Sequence, residues 1–364
     1  FPYNYMILDG ATSSNRIRIF NSSAQTATYT FTETFAKIAV TADGTNSTVF
    51  VNGIKKGISA GLLAGIEEIT QEAVGAGLRY ANATYTTALS DSDAQSLTTV
   101  RSGSGGNISY YGPYTVHSFT GSATFTPSFT GPVEVLVVAG GGGGGYDNGG
   151  GGGAGGLLYV SSYGVSQGTG ITVTIGAGGV GGPNGSTKGT NGGNSVFGGL
   201  TALGGGGGAS DVNTLGLNGG SGGGSARTGG TGAKGLGTPG QGNDGGNSPT
   251  SPVVVNGGGG GGAGQVGETS STANKGGNGG NGLPYSISGF STYYAGGGGG
   301  GSASSEARTN GGLGGGGFGS QGSVYNPTTG TNYLGGGGGG GPGSTSPRDG
   351  KNGGDGIVIV RYLT

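Results

Sequence analysis

Between Gly140 and Gly356 the sequence keeps returning to unbroken runs of five to seven glycines, each entered from a short apolar or aromatic leader. Val137-Val138-Ala139 leads into Gly140–Gly145, Thr201-Ala202-Leu203 into Gly204–Gly208, and Val254-Val255-Asn256 into Gly257–Gly262. Tyr293-Tyr294-Ala295 leads into Gly296–Gly301, and Asn332-Tyr333-Leu334 into Gly335–Gly341. The last three runs start 39 residues apart, so the region is an internal repeat. Such runs make poor helices and give a strand no side chains to pack. Two conformations remain: a flexible coil, or an extended polyglycine II helix with three residues per turn and no internal hydrogen bonds. Laid side by side, bare backbones approach closely enough to satisfy one another, as burial requires. A collagen triple helix needs glycine strictly at every third position and is excluded by the unbroken runs.

With 102 Gly and 12 Pro in 364 residues, the composition by itself is that of a disordered chain. Three features favour an ordered bundle instead. Only 9% of residues are charged, so little repulsion expands the chain. Strand-forming segments bracket the region, Val133–Val138 before it and Ile357–Tyr362 after it. The leaders also recur with the same polarity, which a tether has no reason to maintain. A six-glycine run would then be a rod roughly 19 Å long.

The net charge of -1 leaves no electrostatic footprint for nucleic acid, and cysteine is absent, so stability must come from β-structure and backbone pairing. No 18-residue apolar span or signal peptide is present, so membrane insertion is not expected. The opening Phe1-Pro2-Tyr3 reads as a piece of a longer polypeptide or as a processed one.

The expected fold class is all-β: a jelly-roll-like β-sandwich fragment, then a small β base, then a bundle of polyglycine II helices. Residues 1–100 carry the sandwich. Asn15–Phe20 and Thr28–Phe31 alternate, and Phe35–Val40 and Thr48–Val51 are strands joined by a turn-rich Ala42–Asn46. Val51-Asn52-Gly53-Ile54 is a hairpin signal, and Ser90 caps one expected helix. Ala36–Val40, Val49–Gly57 and Ala88-Leu89-Ser90 together resemble the C-terminal part of a laminin-G/concanavalin A-like domain. Calcium-dependent members of that family use carboxylate clusters; Asp9, Asp43, Asp91 and Asp93 form no such cluster in sequence, and no calcium site is transferred.

Residues 101–107 read as a linker and 108–139 as base strands, with 140–356 the glycine bundle and 357–364 its closing strand. The unbroken apolar character of Val135–Val138 and Ile357–Val360 marks strands buried on both faces, expected to pair or lie adjacent in one sheet. Each tight run then travels outward from that base, a polar segment turns, and a looser glycine stretch returns. The expected far-end segments are Tyr146–Asn148, Pro183–Thr190, Ala209–Asn218, Gln265–Lys275, Ser302–Thr309 and Pro342–Lys351, with one irregular excursion across 225–252. Apolar groups from Leu157 through Val253–Val255, Tyr285, Val324, Tyr325 and Tyr333 are expected at the near end.

The glycine runs, the lead-in Tyr114–Phe119 with Val135–Gly140, and the closing Gly353–Tyr362 resemble the glycine-rich tip domains of bacteriophage tail fibres and adhesins. The resemblance spans Ile108 to Thr364. It implies a protein of the virion, extracellular to the host, that attaches to a bacterial surface receptor (an outer-membrane protein or a glycan) beside other tail fibre subunits, with a homotrimeric shaft one option. Rods present short loops at one pole, where recognition residues sit. The candidate receptor-binding residues are therefore Tyr146, Asp147, Asn148, Lys188, Asp211, Asn213, Glu268, Lys275, Glu306, Arg308, Arg348, Asp349 and Lys351. Any one of them can equally be a solvated turn residue. A structural filament with inert tips is the alternative, and an ice-binding face is a weaker one.

No enzymatic reading emerges. His117 is the one histidine and has no acid placed beside it, no Lys-Ser/Thr follows a glycine run at phosphate-loop spacing, and no metal-ligand spacing occurs. No cofactor is implied.

Overall fold

A computed structural model gives the backbone of seven strands between residues 5 and 72, and residues 100–183, 187–212, 214–226, 233–248, 256–270, 275–303, 308–322, 324–343 and 347–363. The chain divides into two compact units, Phe1–Val100 and Arg101–Thr364.

In the first unit β1 (Tyr5–Ala11), β2 (Ser14–Asn21), β3 (Ala24–Phe31) and β7 (Glu68–Glu72) form one sheet in the order β3-β2-β1-β7, with β1 and β7 parallel. The antiparallel sheet β4-β5-β6 comprises β4 (Ile38–Ala42), β5 (Asn46–Val51) and β6 (Ile54–Ala60). Val51 faces Ile54 across the expected Asn-Gly hairpin. The expected helix at Ser90, and Ala88-Leu89-Ser90 with it, lie outside the described residues.

The second unit starts with β8 (Gly103–Ser104), β9 (Asn107–Tyr111), β10 (Tyr114–Phe119), β11 (Ala123–Pro127) and β12 (Gly131–Val138). Residues 101–107 are thus not a linker: Gly103 and Ser104 pair with Pro127 and Thr126 as an edge of the base. After β13 (Leu157–Val165), β14 (Ile171–Thr174), β15 (Ser195–Phe197) and β16 (Leu200–Ala202) come the hairpin β17 (Leu283–Tyr285) with β18 (Thr292–Tyr294), and finally β19 (Ile357–Leu363). Two five-stranded sheets result, β13-β12-β19-β10-β9 and β16-β15-β14-β11-β8.

The two ends of the glycine region pair directly, Val135 opposite Val360 and Val138 opposite Ile357. Side chains alternate between the faces of a strand, and here both faces are covered. Val133, Val135, Val137, Val358, Val360 and Tyr362 pack with Phe125, Val173, Phe197 and Ala202 of the second sheet. Leu136, Val138, Ile357 and Ile359 pack on the other side with Ile287 and Tyr294 of the β17–β18 hairpin region. That is why the sequence runs apolar without alternating. Each such fully buried side chain stabilises by about 1.5–3 kcal/mol relative to exposure.

His117 sits inside this core with both nitrogens engaged. Its Nδ1 donates to the Gly105 carbonyl at 2.7 Å, which leaves Nε2 of the neutral ring to accept the Tyr362 hydroxyl at 2.9 Å. Burial pushes the His117 pKa below its usual 6.5, partly opposed by the Gly105 hydrogen bond. Burial pushes the Tyr362 hydroxyl up to about 12. On the sheet surface Arg361 holds Glu134 with two hydrogen bonds, lies over the Tyr114 ring, and donates to the Ser286 carbonyl of the hairpin loop.

Beyond Ala139 and Gly356 the chain leaves the sheet and becomes the bundle. Its geometry is legible in the hydrogen bonds of one run. The amides of Ala139, Gly142 and Gly145 donate to Gly156, Gly153 and Gly150; those of Gly140 and Gly143 donate to Gly193 and Thr190; those of Gly141 and Gly144 donate to Gly354 and Lys351. Its carbonyls accept from Gly179 and Gly182, from Gly205 and Gly208, and from Gly338 and Gly341. Every third residue faces the same neighbour, the signature of a threefold polyglycine II helix surrounded on six sides. A Cβ on Gly141, Gly142 or Gly143 would be driven into the carbonyl of Gly336, Gly206 or Val180 respectively. Absence of side chains is here a packing requirement.

Candidate functional site

Pairing direction sorts the legs. Legs 139–145, 176–182, 204–209, 220–226, 242–248, 265–270, 296–302, 316–320 and 335–341 run away from the base. Legs 149–156, 188–194, 214–219, 233–237, 256–262, 276–282, 309–313, 327–331 and 349–356 return. Three expectations fall. Gly257–Gly262 runs toward the base, because Gly258 and Gly261 pair antiparallel with Ser225 and Gly222. Gln265 therefore sits in a near-end turn, and Glu268 lies half-way up the flank, bonded through its main chain to Gly259 and Asn278. Val324 and Tyr325, expected near the base, occupy a far-end turn closed by Gln321, while Tyr333 does lie at the near end, bonded to Asp355. Val253–Val255 lie outside the described residues.

The outer legs lack neighbours on one side, and side-chain oxygens replace them. Asn191 and Asn194 accept from the amides of Gly207 and Gly204. Asn278 and Asn281 accept from Asn310 and Leu313, Asp244 and Asn247 from Gly237 and Lys234, and Asn352 and Asp355 from Gly181 and Gly178. These pairs are three residues apart because three residues make a turn. The sequences Asn191-Gly-Gly-Asn194, Asp244-Gly-Gly-Asn247, Asn278-Gly-Gly-Asn281 and Asn352-Gly-Gly-Asp355 announce this spacing and were the signal that marks the outer legs. At the far end several outward legs finish on a buried serine: Ser225, Ser248, Ser270, Ser302 and Ser320. Their hydroxyls bond the main chain or Asn256; Ser248 and Ser270, for example, both donate to its carbonyl.

Above this layer the far pole gathers Tyr146, Asp147, Asn148, Lys188, Asp211, Lys275, Arg308, Arg348 and Asp349, with Lys351 one step down its return leg. Asn213 and Glu306 lie outside the described residues. Asp147 and Asn148 reverse the chain with φ of 48° and 49°, a left-handed conformation that Asp and Asn adopt more readily than most residues. The turn sets Asp147 Oδ2 2.6 Å from Arg348 Nη1, with the carboxylate almost buried and the guanidinium reaching solvent. The hydrogen bond and charge of Asp147 raise the Arg348 pKa, with smaller contributions from Tyr146 and Asp211. Asn148 Oδ1, Asp211 Oδ1 and Asp349 Oδ1 are buried acceptors without a hydrogen-bond partner among the described residues. Arg308 stacks at 4.2 Å over Phe318 and at 5.4 Å over Tyr325. Among the described residues no group of His, Cys, Asp or Glu is arranged to hold a metal ion, and no helix is long and apolar enough to cross a membrane.

A family model described as a glycine-rich domain matches residues 115–363, from the second residue of β10 to the end of β19, and so spans the whole bundle. No curated protein matches the chain.

Proposed function

The chain belongs to the glycine-rich domain family over residues 115–363, and we propose that it is the receptor-binding part of a bacteriophage tail fibre. In this reading it is an adhesin of the virion, and the loops of its far pole contact an outer-membrane protein or a glycan on the bacterial surface. The first unit would be a laminin-G/concanavalin A-like domain joined to the rest of the fibre, a reading supported by its antiparallel strand pairs.

One observation carries the proposal: the bundle concentrates ionic and polar side chains at the pole opposite its sheet base, around Asp147 and Arg348. Legs held by main-chain bonds leave the connecting residues available for recognition. Orphaned acceptors at Asn148, Asp211 and Asp349 also favour a partner that brings donors.

The test is adsorption of the purified, fluorescently labelled chain to a panel of bacterial strains. Replacing Asp147 and Arg348 by alanine, or residues 302–309 by polar filler, should abolish adsorption to any strain that binds the parent chain. Adsorption that persists in both variants would overturn the reading, as would long fibres that adhere to no strain.

A further inference from the structure

The far pole does not exhaust the recognition chemistry of the molecule. On the flank, below the pole, a groove of about 550 Å³ runs between the outward leg 265–270 and the returning legs 276–282 and 309–313. We propose that this groove is a second binding site, shaped for an uncharged pyranose ring or short neutral glycan. This does not rest on the attachment reading.

The apolar part of the argument is that Val266, Leu313 and Phe318 line the groove while 60%, 56% and 41% exposed. Such surfaces suit the C–H faces of a sugar, whose hydrogens pack against aliphatic groups and the electron-rich face of an aromatic ring. The floor beside them is bare backbone at Gly279 and Gly280, which lets a flat ring approach closely.

The polar part follows from which atoms are already committed. Asn278 and Asn281 spend their oxygens on the amides of Asn310 and Leu313. Their amide nitrogens hold Glu268 Oε2 and Gln265 Oε1. Glu268 and Gln265 are thus fixed along the groove wall, each with one terminal atom uncommitted among the described residues: an acceptor on Glu268 and a donor on Gln265. The Asn310 carboxamide and the Gly311 amide have no partner among the described residues. A donor and an acceptor therefore lie on the Gln265–Glu268 wall and further ones on the facing leg at Asn310 and Gly311, as hydroxyls that both donate and accept require. Charge narrows the class further. The Glu268 carboxylate lies in the lining between Asn278 and Gln265, and the Arg308 guanidinium stays at the rim over Phe318, so no cation lies beside the polar wall to receive an acidic sugar.

Saturation-transfer NMR on the full chain with maltose, lactose and N,N′-diacetylchitobiose, against glucuronate as the anionic probe, tests this. At least one neutral disaccharide should receive saturation and glucuronate should not. Asn310→Ala, which removes no hydrogen bond among the described residues, and Phe318→Ala should each weaken that binding by about tenfold or more. Arg348→Ala should leave it unchanged. The proposal is overturned if no neutral probe binds, if glucuronate binds equally well, if both groove variants bind as the parent does, or if Arg348→Ala removes the signal. Failure of cell adsorption alone would bear on the pole and not on the groove.

Discussion

Strands β12 and β19 and the legs 139–145 and 349–356 are two continuous stretches of chain, side by side throughout, yet the rules that hold them change at Ala139 and Gly356. Below that level each strand lies in a sheet, and stability comes from Val135, Leu136, Val358 and Ile359 burying both faces. Above it the legs 140–145 and 349–356 have no apolar side chains to bury. There each leg turns its amides in three directions and stands among neighbours that run parallel and antiparallel alike. The difference teaches that one polypeptide can switch from side-chain packing to main-chain packing without breaking its pairing, provided that glycine takes over where the legs crowd.

The sharpest way to break this comparison is Gly142→Val. Its Cβ would meet the Gly206 carbonyl with nothing flexible to yield. The expected loss is more than about 5 kcal/mol, read as loss of amide-exchange protection across legs 139–156 and 349–356. Gly121→Ala, with nothing within 4 Å of the added carbon, should stay within about 0.5 kcal/mol of the parent. If Gly142→Val melts like the parent, the bundle is not close-packed main chain. In the base, Phe125→Ala should cost about 3–5 kcal/mol in denaturant unfolding, with the base losing protection first. An equal and simultaneous loss in base and bundle would mean that the two form one cooperative element.

Smaller effects sharpen the boundary. Asn194→Ala removes the acceptor for the Gly204 amide and should cost about 1–2 kcal/mol, since the orphaned donor is only partly open to water. Asn194→Asp should recover most of it. His117 supplies a pH test confined to the base. Its folded pKa lies below 6.5, so the neutral ring's contribution is complete above 6.5 and is lost as pH falls toward the folded value. Melting temperature should therefore decline on acidification from roughly pH 7 to 5 more in the parent than in His117→Gln. The smallest expected change in stability is that of Arg348→Ala. Its exposed guanidinium is screened by solvent and the near-buried Asp147 carboxylate keeps the Asn148 amide as a donor, so the melting temperature should fall only slightly, even though cell adsorption is expected to fall. A clear loss of stability would make the pole part of the scaffold.

Much of this architecture could be read from particular residues. The apolar runs 135–138 and 357–360 announced strands covered on both faces, and the glycine runs announced threefold rods. The Asn-Gly-Gly-Asn spacing also lay in plain view, although its meaning needed the rods as context. Other features were hidden. Gly103 and Ser104 look like linker residues because a two-residue edge strand carries no pattern. Glu268 looks like a tip residue because a polar segment after a glycine run is the same whether the run is leaving or returning. Val324 and Tyr325 look like base residues because they are apolar, yet a turn at the pole can seat Tyr325 beside Arg308.

Composition and order of residues by themselves settled the kind of structure: side chains where sheets pack, glycine where legs crowd, and carboxamides three apart where a leg lacks a neighbour. Which way each leg runs was decided only in three dimensions. A glycine run has no side chain to distinguish its two directions, and its amides find carbonyls on parallel and antiparallel neighbours equally well. The reversal of 256–262, and with it the placing of Glu268 on the flank, was therefore fixed by the legs already around it.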